Sequence, residues 1–219
     1  MDSSVPPDAP APLGPAEVRA LGCLVEKDIT TPDNYPLTLN ALTNACNQIS
    51  NREPVISLAE QDVVLALDAL RRRGLAYEFQ GAESRVPKYG HRLAESLGLA
   101  RPETAALCVL MLRGPQTVGE VRARTARMHE FAGLAEAEAA LEALCSRPQG
   151  ALAARLPRRH GAREQRYAHL LGGPAQAEAP GPPPASAAPD ERIARLEAEV
   201  RALRQEVAEL RGELRGPAR

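Results

Sequence analysis

Two segments of the chain combine a tyrosine and a histidine in a spacing that could support acid–base chemistry. The pattern Arg-x-x-(Lys/Arg)-Tyr-x-His-x-Leu runs from Arg85 to Leu93 and again from Arg163 to Leu171. In an extended strand, the tyrosine and the histidine of each copy share one face. Catalysis also requires a nucleophile or a carboxylate beside the histidine, and the sequence places none there. We therefore expect core tyrosines, no catalytic residues and a protein that is not an enzyme.

A second group of candidates is basic and suited to contact the phosphates of a nucleic acid. In the second half of the chain these candidates are Arg158, Arg159, His160, Arg163 and Arg166. In the first half they are Arg71, Arg72, Arg73, Arg85 and Lys88. Arginines in turns are commonly solvated, and those in a last helical turn stabilise the helix dipole. Both interpretations stay open for these residues.

A third group consists of amides around one predicted helix, where Asn40, Asn44 and Asn47 are possible base or loop contacts. Amides can read the edge of adenine. They also cap helices and fix neighbouring loops, and the sequence does not decide between these roles.

Charge and cysteine usage narrow the class of protein. The net charge is −1, with 9 basic against 10 acidic residues over 16–92 and 11 against 8 over 93–172. Contact with a polyanion is therefore expected to be local and to involve the second half. The four cysteines lack a C-x-x-C spacing and lie in apolar contexts, so we expect reduced core thiols and neither metal nor cofactor. No apolar run of membrane length occurs, which predicts a cytoplasmic protein without membrane contact.

The repeated motif has a second match upstream, where Ala66–Leu70 resembles Ala140–Leu144 at an offset of 74. Two matches in the same order indicate a duplicated domain. Hydrophobic periodicity predicts three helices and a hairpin in each copy. The helices are predicted from Pro15 to before Asp28, over 37–48, from a cap at Ser57 with Glu60 to Gly74, and over 102–113, 117–127 and 134–147. The hairpins are predicted to pair 75–79, with Leu75, Tyr77 and Phe79 on one face, with 85–93, and 151–156 with 163–171.

Three helices followed by a hairpin are typical of the winged helix, a helix-turn-helix variant. The predicted fold class is mainly α, of α+β type, with tandem duplicated winged-helix domains followed by a C-terminal coiled-coil helix. The predicted segments are a disordered N-terminus (1–14), two winged-helix domains (15–93 and 94–172), a flexible Pro/Ala linker (173–190) and the coiled-coil helix (191–215).

The coiled coil is predicted from apolar residues spaced three and four apart. These residues, at alternating a and d positions, are Ile193, Leu196, Val200, Leu203, Val207, Leu210 and Leu214. β-Branched residues at most a positions with Leu at d favour a parallel homodimer. A helix that packs back on its own domains is the alternative.

The segment Thr30–Leu42, which reads Thr-Thr-Pro-Asp-Asn-Tyr-Pro-Leu-Thr-Leu-Asn-Ala-Leu, resembles the signature of the YceH family. The segments Ala45–Gln48, Ser50–Val55, Arg85–Tyr89 and Arg166–Leu171 resemble that family as well. The resemblance spans about residues 14–172 and implies a bacterial cytoplasmic protein with tandem winged helices and no established activity.

The fold class suggests a nucleic-acid-binding protein, similar to a transcription regulator and dimerised by its coil. The third helix of a winged helix normally enters the major groove. Here the two third helices are acidic, with Asp62 and Asp68 in one and Glu136, Glu138 and Glu142 in the other, and acids at the groove-facing end would repel phosphate. A protein-interaction adaptor is therefore the alternative, and a small-ligand sensor using the loop at Asp28–Pro36 is a third. A continuous basic face would favour nucleic acid.

Overall fold

A computed structural model describes residues 11–80, 86–158 and 164–173, which form a mixed α+β fold. The described residues contain seven α-helices and two small antiparallel sheets, which confirms the predicted α+β class. The first repeat contains α1 (Pro15–Thr30), β1 (Leu37–Thr38), α2 (Leu39–Cys46), α3 (Glu60–Arg72), β2 (Ala76–Phe79) and β3 (Lys88–His91). A short helix, α4 (Leu93–Leu97), leads to the second repeat. That repeat contains α5 (Arg101–Arg113), α6 (Val118–Thr125), α7 (Leu134–Cys145), β4 (Ala153–Arg155) and β5 (Tyr167–His169).

The two repeats share the order of their elements. In the first sheet β3 lies between β1 and β2, with Leu37 opposite Tyr89. In the second repeat β4 pairs with β5, and a single bridge from Gln116 to Tyr167 stands where β1 pairs with β3 in the first. Each repeat therefore follows the order helix, extended segment, helix, helix, strand, strand. This shared order supports the duplication inferred from the sequence.

Two helix starts differ from the sequence-based prediction. α2 begins at Leu39 because Leu37 and Thr38 hydrogen-bond to β3 as a strand, and the Thr38 hydroxyl then caps the helix by accepting from the Ala41 N–H at 3.3 Å. α3 begins at Glu60, and Asp62 accepts from the Ala59 N–H at 2.9 Å. The predicted cap at Ser57 with Glu60 was thus placed too early.

Other boundaries also differ. α1 continues to Thr30, through residues that the sequence analysis left outside the helix, because Pro32 disfavours helical backbone only near itself. α6 ends at Thr125 and α7 at Cys145, about two residues earlier than predicted. In β2 the buried residue is Ala76, whereas Phe79 is 49% exposed. Tyr77 and Phe79 alternate with Ala76, so the face that they share is the less buried face of the strand.

α1 and α5, the first helices of the two repeats, pack directly against each other. A Cβ added at Gly22 would lie 2.8 Å from Leu112 Cδ2, so glycine allows the two helices to approach this closely. The Cys108 thiol lies 3.4 Å from the Gly22 carbonyl oxygen. One continuous cluster of buried side chains includes both helices and extends into both repeats. The repeats therefore share a core.

The N-terminal edge of the described chain is also part of this structure. Leu13, which the sequence assigned to a disordered segment, is buried, and its N–H donates to the Leu171 carbonyl at 2.7 Å. Cys23, Cys46 and Cys108 are buried free thiols, as predicted, whereas Cys145 is half-buried and packs against the core. Burial raises the pKa of Cys108. None of the helices in the described parts of the chain has both the length and the apolar character needed to cross a bilayer.

Several predicted segments lie outside the described residues. They are the N-terminus through residue 10, the linker from residue 174 and the whole coiled-coil helix with its seven a and d positions.

Candidate nucleic-acid interface

The arginines at the end of α3 make internal contacts. Arg71 lies 3.0 Å from a Glu78 carboxylate oxygen and 3.4 Å from one of Asp68. Arg73 lies 3.8 Å from Glu17 and donates to the backbone carbonyls of residues 11 and 12. Arg72 is exposed and has no ion pair within the described residues. Two of these three candidates, Arg71 and Arg73, therefore bind groups within the protein.

The predicted hairpin candidates are only partly described. Lys88 lies on the central strand of the first sheet, opposite Thr38 and Phe79. Arg158 follows β4 and is exposed, and Arg166 precedes β5, where its carbonyl accepts from the Leu156 N–H at 2.7 Å. Four further candidates lie outside the described residues: Arg85, Arg159, His160 and Arg163. Among the described candidates, Arg71 and Arg73 pair with carboxylates or backbone carbonyls of the protein itself.

The acids of α7 also have structural partners. Glu142 accepts a hydrogen bond of 2.6 Å from the Tyr167 hydroxyl and pairs with Arg155, and both contacts lower its pKa. Desolvation, followed by the bond to Glu142, raises the pKa of Tyr167 to about 12. Arg155 also lies 3.9 Å from Glu138. Arg155 on β4 and Tyr167 on β5 thus connect the second hairpin to α7 through the carboxylates of Glu138 and Glu142.

Glu136, at the start of α7, fixes the loop that precedes it. Its carboxylate accepts from the Ala132 N–H at 2.7 Å and lies 3.2 Å from His129 Nε2. The bond from Ala132 is the main cause of its lowered pKa, followed by that from His129. Together with the Asp62 cap and the Asp68–Arg71 pair in α3, these contacts give each acid named on the third helices a partner within the protein.

α7 packs against both α6 and β4. α6 carries Arg122, and Arg127 follows its end; both are exposed. Neither has an ion pair within the described residues, whereas Arg124 lies 3.2 Å from Glu120. The sequence analysis missed these arginines, although the excess of basic residues over 93–172 was a signal for them.

The amide candidates divide into two kinds. Asn47 has a structural role, because its side chain donates to the Leu58 carbonyl at 2.9 Å and accepts from the Leu58 N–H at 2.8 Å. It thereby ties the loop before α3 to the end of α2. Asn40 and Asn44 are one turn apart on α2 and joined by a 3.1 Å hydrogen bond at the surface. Only these two are placed to contact another molecule.

The buried guanidinium of Arg52 organises the loop after α2. Its five N–H groups all have acceptors, namely the carbonyls of Ala45 and Asn51, the side chain of Gln48 and both carboxylate oxygens of Glu26. The shortest of these bonds is 2.6 Å, to Glu26 Oε2. Sequence reasoning missed this centre, because an arginine in a polar loop gives no sign of burial.

The histidines of the repeated motif have different surroundings. His91 Nε2 lies 3.3 Å from Asp28 Oδ2, and His91 Nδ1 accepts from the Leu93 N–H at 3.2 Å. The expectation that no carboxylate stands beside this histidine was wrong, because α1 continues through Asp28. The Tyr35 hydroxyl accepts a hydrogen bond of 2.7 Å from the backbone N–H of His91. This bond connects the loop between α1 and β1 to strand β3. Desolvation lowers the pKa of His91 and also that of His169.

Taken together, these features define a class: an α+β protein built from two like repeats on a shared core, with exposed arginines on and near the elements that pack against α7. Within the described ranges, no three His, Cys, Asp or Glu side chains are grouped to hold a metal ion.

The chain belongs to the family described as "Protein of unknown function, DUF480", whose model matches residues 13–162. A UPF0502 protein of Opitutus terrae is 53% identical over 202 residues, which cover 90% of this chain and 86% of the relative. UPF0502 proteins of Geobacter metallireducens and Vibrio atlanticus are 55% and 49% identical, over 86% and 91% of this chain and 88% and 95% of their own lengths. These matches confirm the expected membership in a bacterial family without an established activity. The name YceH stays a prediction.

Proposed function

We propose that each repeat is a winged helix and that the protein is a non-enzymatic nucleic-acid-binding protein that contacts DNA mainly through its second repeat. The order helix, extended segment, helix, helix and hairpin, found in both repeats, supports the winged-helix assignment. In this assignment α3 and α7 are the third helices, and the hairpins β2–β3 and β4–β5 are the wings.

The observation that carries the DNA-binding proposal is the placement of the basic residues around α7. α6, which carries Arg122, and β4, which leads to Arg158, both pack against this helix. Of the three acids of α7, Arg155 pairs with Glu142 and lies near Glu138, so it offsets part of their repulsion of phosphate. Arginines on two elements that contact the same helix suit contact with two stretches of a phosphate backbone. Such contacts give affinity without base recognition.

DNA binding can be tested with two unrelated labelled duplexes and fluorescence anisotropy at about 50 and 200 mM salt. The variants are Arg122→Gln and the combination Arg158→Ala, Arg159→Ala and Arg163→Ala. We expect the wild type to bind both duplexes alike. Each variant should weaken both and reduce the slope of log affinity against log salt by about one per lost phosphate contact.

Arg72→Gln is the matched control, since Arg72 is an exposed arginine on the third helix of the other repeat. Its affinity should stay close to that of the wild type. Absence of duplex binding at low salt, or equal affinity in the wild type and both second-repeat variants, would overturn the proposal. A loss confined to Arg72→Gln would assign binding to the first repeat.

A protein-interaction adaptor is the second candidate, and the surface of the first repeat favours it. Leu65 on α3 is 58% exposed. Phe79, at the end of β2, is 49% exposed, and Val86, shortly before β3, is 53% exposed. Exposed apolar residues on a third helix and a wing suit a protein partner better than DNA. A photo-crosslinking residue placed at Phe79, with Glu95 on α4 as the control position, should give a discrete adduct in cells at position 79 alone. No adduct, or the same adduct at both positions, would remove the adaptor.

We further propose that the protein forms a parallel homodimer through residues 191–215. The support is the uninterrupted a and d pattern from Ile193 to Leu214.

A further inference from the structure

A cleft of about 430 Å³ opens between the two repeats. One wall is the end of α1 and the loop after α2, and the other consists of α5 and α6 with the residues that follow it. The volume lies within the range of small-molecule sites, about 300–1,000 Å³. Because both walls belong to the shared core, the cleft is part of the folded unit and does not depend on the hairpin tips.

The charged residues that line the cleft are mostly basic. They are Lys27 from α1, Arg113 from α5, and Arg124 and Arg127 from α6 and its end, against the single carboxylate of Glu26. Both oxygens of that carboxylate already accept bonds from the buried Arg52. The lining therefore carries a net positive charge, although Lys27 lies 3.7 Å from Glu26 and Arg124 pairs with Glu120 beyond the cleft.

Arg113 shows the effect of this concentration of charge. Its guanidinium donates to the side-chain oxygen of Asn51, a neutral acceptor, and no carboxylate within the described residues pairs with it. Desolvation, followed by repulsion from Arg124 and then Arg52, lowers its pKa. Like charges that converge in a cleft are stabilised when an anion enters between them. Gln48 adds a neutral donor, since Arg52 occupies its carbonyl oxygen and leaves the amide group available.

We propose that this cleft binds a small phosphate-bearing molecule, with Arg113, Arg124, Arg127 and Lys27 as the cationic contacts. Four basic side chains match a ligand with two or more negative charges better than a single carboxylate. The volume accommodates more than one phosphate group. The ligand contacts both repeats, and Arg122 and Arg158, the DNA contacts proposed beside α7, do not line the cleft.

Pyrophosphate is the probe for this site, and isothermal titration calorimetry at constant ionic strength is the assay. The full-length wild type should bind one pyrophosphate per chain. Arg113→Gln and Arg124→Gln should each weaken binding by about tenfold, as expected for the loss of a charge-assisted hydrogen bond. Arg124→Gln keeps the test valid if Arg113→Gln disturbs folding, because Arg124 lies at the surface of α6 with only the Glu120 pair.

Arg122→Gln is the matched control, because Arg122 is on the same helix but does not line the cleft. It should retain pyrophosphate binding within about twofold and lose DNA affinity, whereas Arg124→Gln should do the reverse. The two proposals therefore fail separately. Absence of saturable heat in the wild type, or equal weakening by Arg122→Gln and Arg124→Gln, overturns the cleft site.

Discussion

Removing the guanidinium of Arg52 should destabilise the protein more than removing any exposed arginine. Arg52 is 4% exposed and its bidentate partner Glu26 has a side chain that is 15% exposed. Arg52→Met keeps the length of the side chain but leaves the Glu26 carboxylate unpaired in this environment. Breaking a buried ion pair from one side costs about 3–5 kcal/mol. We expect a loss of that size in the free energy of unfolding.

Most of this cost comes from the unpaired carboxylate, and a double-mutant cycle measures that part. Arg52→Met, Glu26→Gln and the double variant should be compared by urea denaturation, with linear extrapolation to water. The coupling energy should be about 1–3 kcal/mol. The double variant will not regain full stability, because Arg52 also supports the carbonyls of Ala45 and Asn51.

Arg71 with Glu78 provides a control pair. Their side chains are 41% and 30% exposed, and a pair of this kind contributes about 0–1 kcal/mol. The same cycle with Arg71→Met and Glu78→Gln should give a coupling energy below that of the buried pair. Equal coupling in the two cycles, or a loss below about 1 kcal/mol for Arg52→Met, would refute the account.

Three further predictions concern packing, pH and assembly. Gly22→Val should lower the free energy of unfolding by about 1–3 kcal/mol, because a Cβ there would stand 2.8 Å from a leucine of α5. Gly119→Ala is the control: its Cβ would have no contact closer than 4.0 Å, so it should stabilise α6. Thermal melts compare both variants with the wild type. Desolvation lowers the pKa of His91 and of His169, so as the pH falls the unfolded chain takes up protons before the folded one. The contribution of these two histidines to the free energy of unfolding should be fully present above about pH 6.5 and should decrease below it. Denaturation at pH 7.5 and 5.5 should show a smaller difference for His169→Leu than for the wild type. Leu203→Glu should convert a dimer into a folded monomer in sedimentation, and a wild type that is already monomeric would remove the coiled-coil interface.

Much of the fold followed from local patterns in the sequence. The duplicated Ala-Leu-x-Ala-Leu and Tyr-x-His segments located the third helices and the returning strands, because apolar periodicity and alternation reflect which face is buried. Start signals were less reliable. Thr38 and Asp62 act as caps, but Ser57 looked equally suitable, and only the pairing of β1 with β3 determines where α2 can begin.

The candidate site was less predictable for a physical reason. Whether an arginine is available depends on which carboxylates the fold brings near it, and those of Arg71 and Arg155 come partly from other elements. Glu142, for example, is 13 residues from Arg155 and 25 from Tyr167 in sequence. A search for basic clusters in the sequence therefore included Arg71 and overlooked Arg122. The burial of Arg52 likewise results from tertiary contacts with α1.

The hydrogen bond from Leu13 to Leu171 has a topological consequence. It places the two ends of the folded unit side by side, so the chain enters and leaves the core at one point. The order of the repeats is then not required by geometry, and a circular permutant is feasible. A short linker from Gly173 to Ala11, with new termini at the exposed Ala100, would place the second repeat first. Conversely, anything attached directly before residue 11 or after residue 173 is tethered at the same place on the surface, beside the start of α1.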